Sequence, residues 1–263
     1  NKIFDFRSVP PALSKDQVKF LAKYLNLDEA KILTEPSLYT SIDQNIKQKL
    51  NLISKGYPVS FLTKEIWFFG YPFYIEEGVF IPRCESEFLI ESVLKEFRPT
   101  ASNFRALDLC CGCGVLGITI ARELGWEIHF ADFDDKALAV TKKNIERHQL
   151  SRAFTHKVNI FKGIRLKKKF NLILCNPPYL DFSNYSGSLT YEPIKALCCS
   201  EFGSSVTKTI FKYLRNLLIK GGCAFFETAS CLVSTLSKQA KLNGFKFEIL
   251  TIFNKLCFFK VSL

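Results

Sequence analysis

From Arg105 to the last residue, short apolar runs alternate with segments of helical periodicity, and nothing else in the 263-residue chain restricts its fold as strongly. Strands are predicted at about 105–109, 127–132, 154–158, 170–175, 222–227, 245–252 and 256–262. Helix-length stretches separate most of them, the pattern of parallel strands joined by right-handed crossovers. Between the last two runs lie only Asn254 and Lys255, too few for a crossover helix, so the final strand is expected antiparallel beside its predecessor. The expected fold class is α/β, a seven-stranded Rossmann-like sheet.

The preceding third reads differently. Ser14, three residues before Gln17, makes a capping box, and Val18, Leu21, Ala22 and Leu25 then share one helix face. A second helix is predicted from about Ser41 to Ser54, with Ile42, Ile46, Leu50 and Ile53 at helical spacing and Gly56 and Pro58 beyond its end. Residues 1–65 are therefore expected to form a small helical domain. Over 66–84 aromatic and β-branched residues alternate around Gly70 and Pro72, and Glu76-Glu77-Gly78 precedes Val79-Phe80-Ile81, which predicts a linking β-hairpin turning at 76–78. A helix from Glu85 to Phe97 then opens the larger domain, 85–263. A chain of 30.1 kDa that is 48% hydrophobic can bury both cores.

The first strand of the alternating region ends in Asp108-Leu109 and runs into Cys110-Cys111-Gly112-Cys113-Gly114. A glycine turn between strand and helix lets a ligand approach the backbone at the carboxyl edge of a sheet. Alone, such a pair is also an ordinary tight connection. Asp132, ending the next strand about 20 residues further on, stands where an acid accepts the hydroxyls of a ribose. Together they suit an adenosine nucleoside without a pyrophosphate.

Cys110, Cys111 and Cys113 lack the C-x-x-C spacing of structural zinc, and Cys198-Cys199 do not supply it, so packed thiols and no metal are expected. Ten cysteines in a chain with no signal-peptide pattern point to a reducing cytoplasm rather than a disulfide framework. No apolar stretch approaches the roughly 20 residues of a membrane-spanning helix.

The most specific feature is Asn176-Pro177-Pro178-Tyr179, which follows the apolar strand 172–175. Consecutive prolines remove two amide donors and stiffen the chain, so a carbonyl there is held with little freedom. The Asn176 oxygen beside the Pro177 carbonyl would offer two acceptors to one planar NH2 group, with Tyr179 stacked on it. Such a nitrogen delocalises its lone pair and is a poor nucleophile. Accepting both N–H hydrogens would free the lone pair toward an activated methyl group, and orientation would supply much of the rate. The plainer reading of the tetrapeptide is a rigid turn.

With these residues the chain resembles the release-factor glutamine N5-methyltransferases, and the resemblance extends to Gly56-Tyr57-Pro58-Val59, Phe69-Gly70, Ile81-Pro82-Arg83 with Glu85 and Glu87, and Glu192-Pro193 with Ala196-Leu197. It implies the class I methyltransferase fold and S-adenosylmethionine as methyl donor, with S-adenosylhomocysteine as product. The implied substrate is the glutamine of the Gly-Gly-Gln loop in class I peptide release factors, docked in part by the helical N-terminal domain. It places the cofactor against Asp108, Cys110, Cys111, Gly112, Cys113, Gly114, Asp132, Asn159, Ile160 and Asn176, and the glutamine amide against Asn176, Pro177, Pro178 and Tyr179. The chain departs from the family pattern at Cys110, where glycine is usual, at Cys84 in place of proline, and at Ile160, often an aromatic. Cys110 is expected to need an ordinary backbone angle and to narrow the approach to the cofactor.

Glutamine methylation of a ribosomal protein would use the same chemistry. The net charge of +11 and pI near 9.1 raise a further alternative, N-methylation of adenine or guanine in nucleic acid. Against it, the accessory segment mixes Asp16, Asp28, Glu29, Glu35 and Asp43 among its lysines, and the run of Arg165, Lys167, Lys168 and Lys169 reads as a solvated turn. A binding-only module with a lost cofactor site is the alternative outside enzymes. A monomer is the simplest expectation.

Overall fold

The computed structural model describes residues 13–34, 38, 42–99 and 104–263. The chain divides into two compact units, Asn1–Glu65 and Ile66–Leu263.

In the first unit the described helices are α1 (Lys15–Leu25), α2 (Glu29–Thr34), α3 (Gln44–Ser54) and α4 (Val59–Thr63). The capping box forms as expected: the Gln17 amide donates to the Ser14 hydroxyl at 3.2 Å, and the Ser14 amide donates to Gln17 Oε1 at 2.9 Å. Val18, Leu21 and Ala22 pack with Ile32, Ile46, Leu50 and Ile53 in one apolar cluster. Gln17 Nε2 also donates to the Leu50 carbonyl, 3.0 Å away, which fixes α1 against α3. Asp43 rather than Ser41 begins α3, its carboxylate accepting from the Ile46 amide at 2.8 Å; Ser41 lies outside the described residues.

The two-stranded sheet is β1 (Glu65–Phe68) with β2 (Tyr71–Tyr74), and its turn falls at Phe69 and Gly70, not at 76–78 as predicted. Both turn residues have positive φ, 50° and 76°, the hand whose twist matches that of paired strands. The Phe69 amide is held by Glu87 Oε1 at 2.7 Å. Residues 76–78 do turn, with the Val79 amide donating to the Glu76 carbonyl at 3.3 Å, but Val79 to Ile81 form no strand. A 3-10 turn, Cys84–Ser86, leads into α5 (Glu87–Glu96).

The second unit continues as β3 (Arg105–Leu109), α6 (Val115–Leu124), β4 (Glu127–Asp132), α7 (Asp135–Arg147), β5 (Ala153–Lys157), β6 (Phe170–Cys175), α8 (Ile194–Leu197), α9 (Ser200–Gly203), α10 (Ser205–Leu217), β7 (Leu218–Ala229), α11 (Val233–Leu242), β8 (Lys246–Phe253) and β9 (Leu256–Ser262). The sheet has seven strands in the order β5-β4-β3-β6-β7-β9-β8. As the short 254–255 link requires, β9 runs antiparallel to β8, and it also inserts antiparallel beside β7. The strand predicted at 222–227 begins earlier, at Leu218, and continues to Ala229.

Strand order reverses around β3, whose neighbours are β4 on one side and β6 on the other. Leu109 pairs with Ala131 and with Cys175, so the ends of three strands open at one level. A crevice outside the carboxyl ends of the strands at such a reversal is where open α/β sheets bind ligands. Below it the sheet is packed by buried aromatics, among them Phe226 stacked on Phe259 with centroids 5.1 Å apart.

Candidate active site

The chain leaves β3 through a left-handed cysteine. Cys110 has φ 61°, so the cysteine keeps the angle that glycine adopts freely, and the expectation of an ordinary backbone angle is incorrect. Two hydrogen bonds enforce it: the amides of Cys110 and Cys111 both donate to the Ala131 carbonyl, at 2.9 and 3.2 Å. Holding an L-residue there costs about 1–2 kcal/mol. The Cys110 thiol also contacts that of Cys175, across the β3–β6 pair.

Gly112 and Gly114 continue the turn with φ 55° and 85°. The Gly112 amide donates to Asp132 Oδ2 at 3.0 Å, its carbonyl accepts from the Thr141 hydroxyl at 2.8 Å, and the space a Cβ would occupy is empty to 4 Å. Asp132 Oδ1 accepts from the Asp134 amide at 3.0 Å. Burial raises the Asp132 carboxyl above its ordinary value. Asn144 of α7 braces the turn from outside, donating through Nδ2 to the carbonyls of Cys113 and Tyr74, both at 2.9 Å, and accepting the Tyr74 amide at 2.6 Å.

A third glycine, absent from the sequence reading, completes the spacing Gly112-x-Gly114-x-x-Gly117. A Cβ on Gly117 would lie 2.5 Å from the ring of Phe130 and 2.9 Å from Asp108 Cβ, so α6 packs this closely only on glycine. The Gly117 amide donates to Asp108 Oδ2 at 2.8 Å, and Oδ1 has no described partner. Burial pushes the Asp108 carboxyl from 3.8 up to about 8.

These elements enclose a cavity of about 540 Å³. Of the residues singled out from the sequence, Cys110, Cys111, Gly112, Cys113, Asp132, Asn159, Ile160, Asn176 and Pro178 line it. Asp108, Gly114, Pro177 and Tyr179 are not among its lining residues. Ile160 is buried, but the next residue, Phe161, is 61% exposed and lines the cavity, so an aromatic ring stands one position beyond the expected one. Val79, Phe80, Pro82 and Ser86 close another side. This segment is fastened by buried Glu192, which accepts from the Ile81 amide at 2.8 Å and pairs with Arg83.

At the end of β6 the Asn176 Nδ2 donates to the Ser86 hydroxyl at 3.2 Å, and no described donor reaches its Oδ1 or the Pro177 carbonyl. The Pro178 carbonyl is taken by the Cys199 thiol at 3.1 Å. The Tyr179 ring packs against the core, and its hydroxyl donates to Glu227 Oε1 at 2.8 Å. Burial, then the Glu227 charge, push the Tyr179 hydroxyl well above its ordinary value. Glu227 and Ser86 were missed from sequence; the available signal was one acid directly after the apolar run from Cys223 to Phe226.

All ten cysteines are free. Among the described residues no group of three or more His, Cys, Asp or Glu could hold a metal ion, and no helix is long and apolar enough to cross a membrane. Arg165, Lys167, Lys168 and Lys169 are exposed in the loop before β6.

The same sheet architecture occurs in solved methyltransferases. One from Pyrococcus furiosus aligns over 82% of this chain and 97% of its own, with 14% identity and a TM-score of 0.56. A Thermus thermophilus 16S rRNA N2 G1207 methyltransferase, solved with AdoMet and guanosine, aligns over 75% of this chain and 49% of its own, at 18% identity and TM-score 0.56. Residues 73–196 match the family described as the methyltransferase small domain. The chain thus has the Rossmann-like α/β fold that these methyltransferases share.

Curated relatives narrow that class. A release factor glutamine methyltransferase of Clostridium botulinum is 33% identical over 222 residues, 81% of this chain and 78% of the relative. Another, of Leptospira interrogans, is 30% identical over 251 residues, 90% and 85% of the two chains. The chain belongs to the release factor glutamine methyltransferase family.

Proposed function

We propose that the cavity at the carboxyl end of β3, β4 and β6 binds S-adenosylmethionine, and that the chain methylates the side-chain N5 of the glutamine in the Gly-Gly-Gln loop of class I release factors. The observation that carries this reading is Asn176 at the end of β6, lining the cavity with its NH2 given to Ser86 and no described donor on its Oδ1, beside a Pro177 carbonyl that is likewise without a described donor.

The residues present fit the donor. Open space over Gly112 admits a ligand against the backbone, Asp132 keeps lone pairs beyond its amide contacts for ribose hydroxyls, and Asn159, Ile160 and Phe161 offer an edge and a face to a base. When bound, S-adenosylmethionine supplies an electrophilic methyl group on a sulfonium. Asp108 and Gly114 serve behind this surface, Asp108 by anchoring the α6 amide of Gly117.

Asn176 Oδ1 and the Pro177 carbonyl accept the two N–H hydrogens of the glutamine amide and turn its lone pair toward the methyl group. A nitrogen that has gained a methyl group sheds its proton readily, so no side chain acts as a strong base. The two acceptors supply orientation, the term that dominates when the electrophile is already activated. Pro178 lines the wall beside them, and Tyr179 holds the segment from behind.

Residues 1–65 serve as a helical docking domain for the release factor, and 66–84 link it to the methyltransferase domain, 85–263. The enzyme works as a cytoplasmic monomer. Mass spectrometry of an unmethylated class I release factor, incubated with the protein and S-adenosylmethionine, tests the reading. One added methyl on the Gly-Gly-Gln glutamine is expected; none, with cofactor binding shown separately, would turn the search to ribosomal proteins and then nucleic acid.

A further inference from the structure

Behind the Asn176 wall a fully buried carboxyl gathers three side chains. Glu227 follows Phe226, which pairs with Cys175, so it stands in register with the first residue after β6. Its Oε2 accepts from the Ser86 hydroxyl, its Oε1 accepts from Tyr179, and the Asn176 amide reaches it as well. Ser86 Oγ in turn accepts from Asn176 Nδ2 at 3.2 Å. Glu227 is 0% exposed and Ser86 2%, so none of this is solvated surface chemistry.

A serine hydroxyl has one hydrogen. Committed to Glu227, it leaves Ser86 Oγ able only to accept from Asn176, so the amide must present NH2 there and not its oxygen. Oδ1 and Nδ2 diverge from one carbon, and Asn176 lines the cavity, so the oxygen is the atom left for an incoming N–H. A buried carboxyl is costly to keep, and its neighbours Phe225 and Phe226 show that apolar side chains fill this strand.

We propose that Glu227 is a positioning residue for methyl transfer: through Ser86 it sets which end of the Asn176 amide faces the substrate, and through Tyr179 it steadies the chain carrying the Pro177 carbonyl. This rests on the acceptor role given to Asn176 above. Glutamine at 227 would keep the shape and bring an NH2 that donates to Ser86 Oγ. The serine hydrogen would then turn to Asn176 Oδ1, the amide would flip, and two donors would face the substrate nitrogen.

Two readouts test it. With no methyl acceptor present, the Asn176 Nδ2 protons should show a nuclear Overhauser contact with Ser86 in the wild-type protein, and Glu227→Gln should lose it. On the release factor, Glu227→Gln and Ser86→Ala should each lower kcat by about tenfold to 10²-fold. KM and S-adenosylhomocysteine affinity should stay within about twofold, and Ser86→Thr, which keeps the hydroxyl, should restore kcat. The proposal falls if the amide contact persists in Glu227→Gln, if either variant keeps wild-type kcat, or if cofactor affinity drops in step with kcat. A wild-type protein that shows the contact but methylates no release factor would leave the positioning standing and overturn the reaction assigned above.

Discussion

At the scale of single residues, the site rests on atoms whose hydrogen bonds are incomplete. Asn176 gives its NH2 to Ser86 and keeps its oxygen, so Asn176→Ala should lower turnover on the order of 10²-fold or more while S-adenosylhomocysteine binding stays near wild type. Equal loss of both, measured by calorimetry beside single-turnover rates, would show that the side chain serves the cofactor instead. Cys110 carries the opposite kind of tension, an L-residue at φ 61°. Removing that strain, offset in part by the added freedom of the unfolded chain, should make Cys110→Gly more stable by about 0.5–1 kcal/mol. Urea denaturation would read this as a higher midpoint at unchanged slope; a lower midpoint would mean that the thiol contact with Cys175 outweighs the strain. Asn176, Gly112 and Asp132 were legible because their chemistry is tied to strand ends that the apolar pattern marks. Glu227 and Ser86 were not, since they lie 141 positions apart and only the paired β6 and β7 bring the first of them to Asn176. The cysteine angle was misread because a sequence shows which residue stands in a turn but not how strongly the Ala131 carbonyl holds it there.

Elements obey the same division between local pattern and distant contact. The capping box of α1 and the antiparallel β8–β9 pair were readable because a few adjacent residues decide each. The hairpin turn was misplaced because Glu76-Glu77-Gly78 is the stronger local signal, whereas the real turn at Phe69 and Gly70 is held by Glu87, 18 residues away. Helix α6 shows how closely two elements can be set: Gly117 lies against Phe130, which is 0% exposed and has nowhere to swing. Alanine is the better helix former by about 1 kcal/mol, but overpacking a rigid contact costs about 1–3 kcal/mol. Gly117→Ala should therefore be destabilising, by about 1–2 kcal/mol, and should weaken cofactor binding as α6 and the glycine turn shift together. A variant as stable as wild type in urea would mean that α6 can slide without disturbing the turn.

For the whole molecule, the site imposes a pH dependence on folding. Asp108 is held protonated by burial, its carboxyl raised from 3.8 to about 8, with one oxygen on the Gly117 amide and the other unpartnered. The folded state thus binds a proton that the unfolded chain releases near pH 4, so the stability it contributes is lost as pH rises toward 8. Asp132 and Glu227, also raised by burial, act in the same direction. His129, His148 and His156 act in the opposite one, each lowered from 6.5 by burial, so their contribution is complete above about that pH and fades as the pH falls. Between pH 6.5 and 8 the histidines no longer contribute while Asp108 still does, so stability should decline across that interval. Asparagine in place of Asp108 copies the protonated acid, accepting from Gly117 through its oxygen and placing NH2 where the acid proton stands. Asp108→Asn, which has no proton to release from the unfolded chain, should match wild type near pH 4 and fall less steeply from there to pH 8, a difference urea denaturation at several pH values would resolve. Parallel slopes in the two proteins would mean that Asp108 is already ionised in the folded state, with a counter-charge at its free oxygen that the described contacts do not contain.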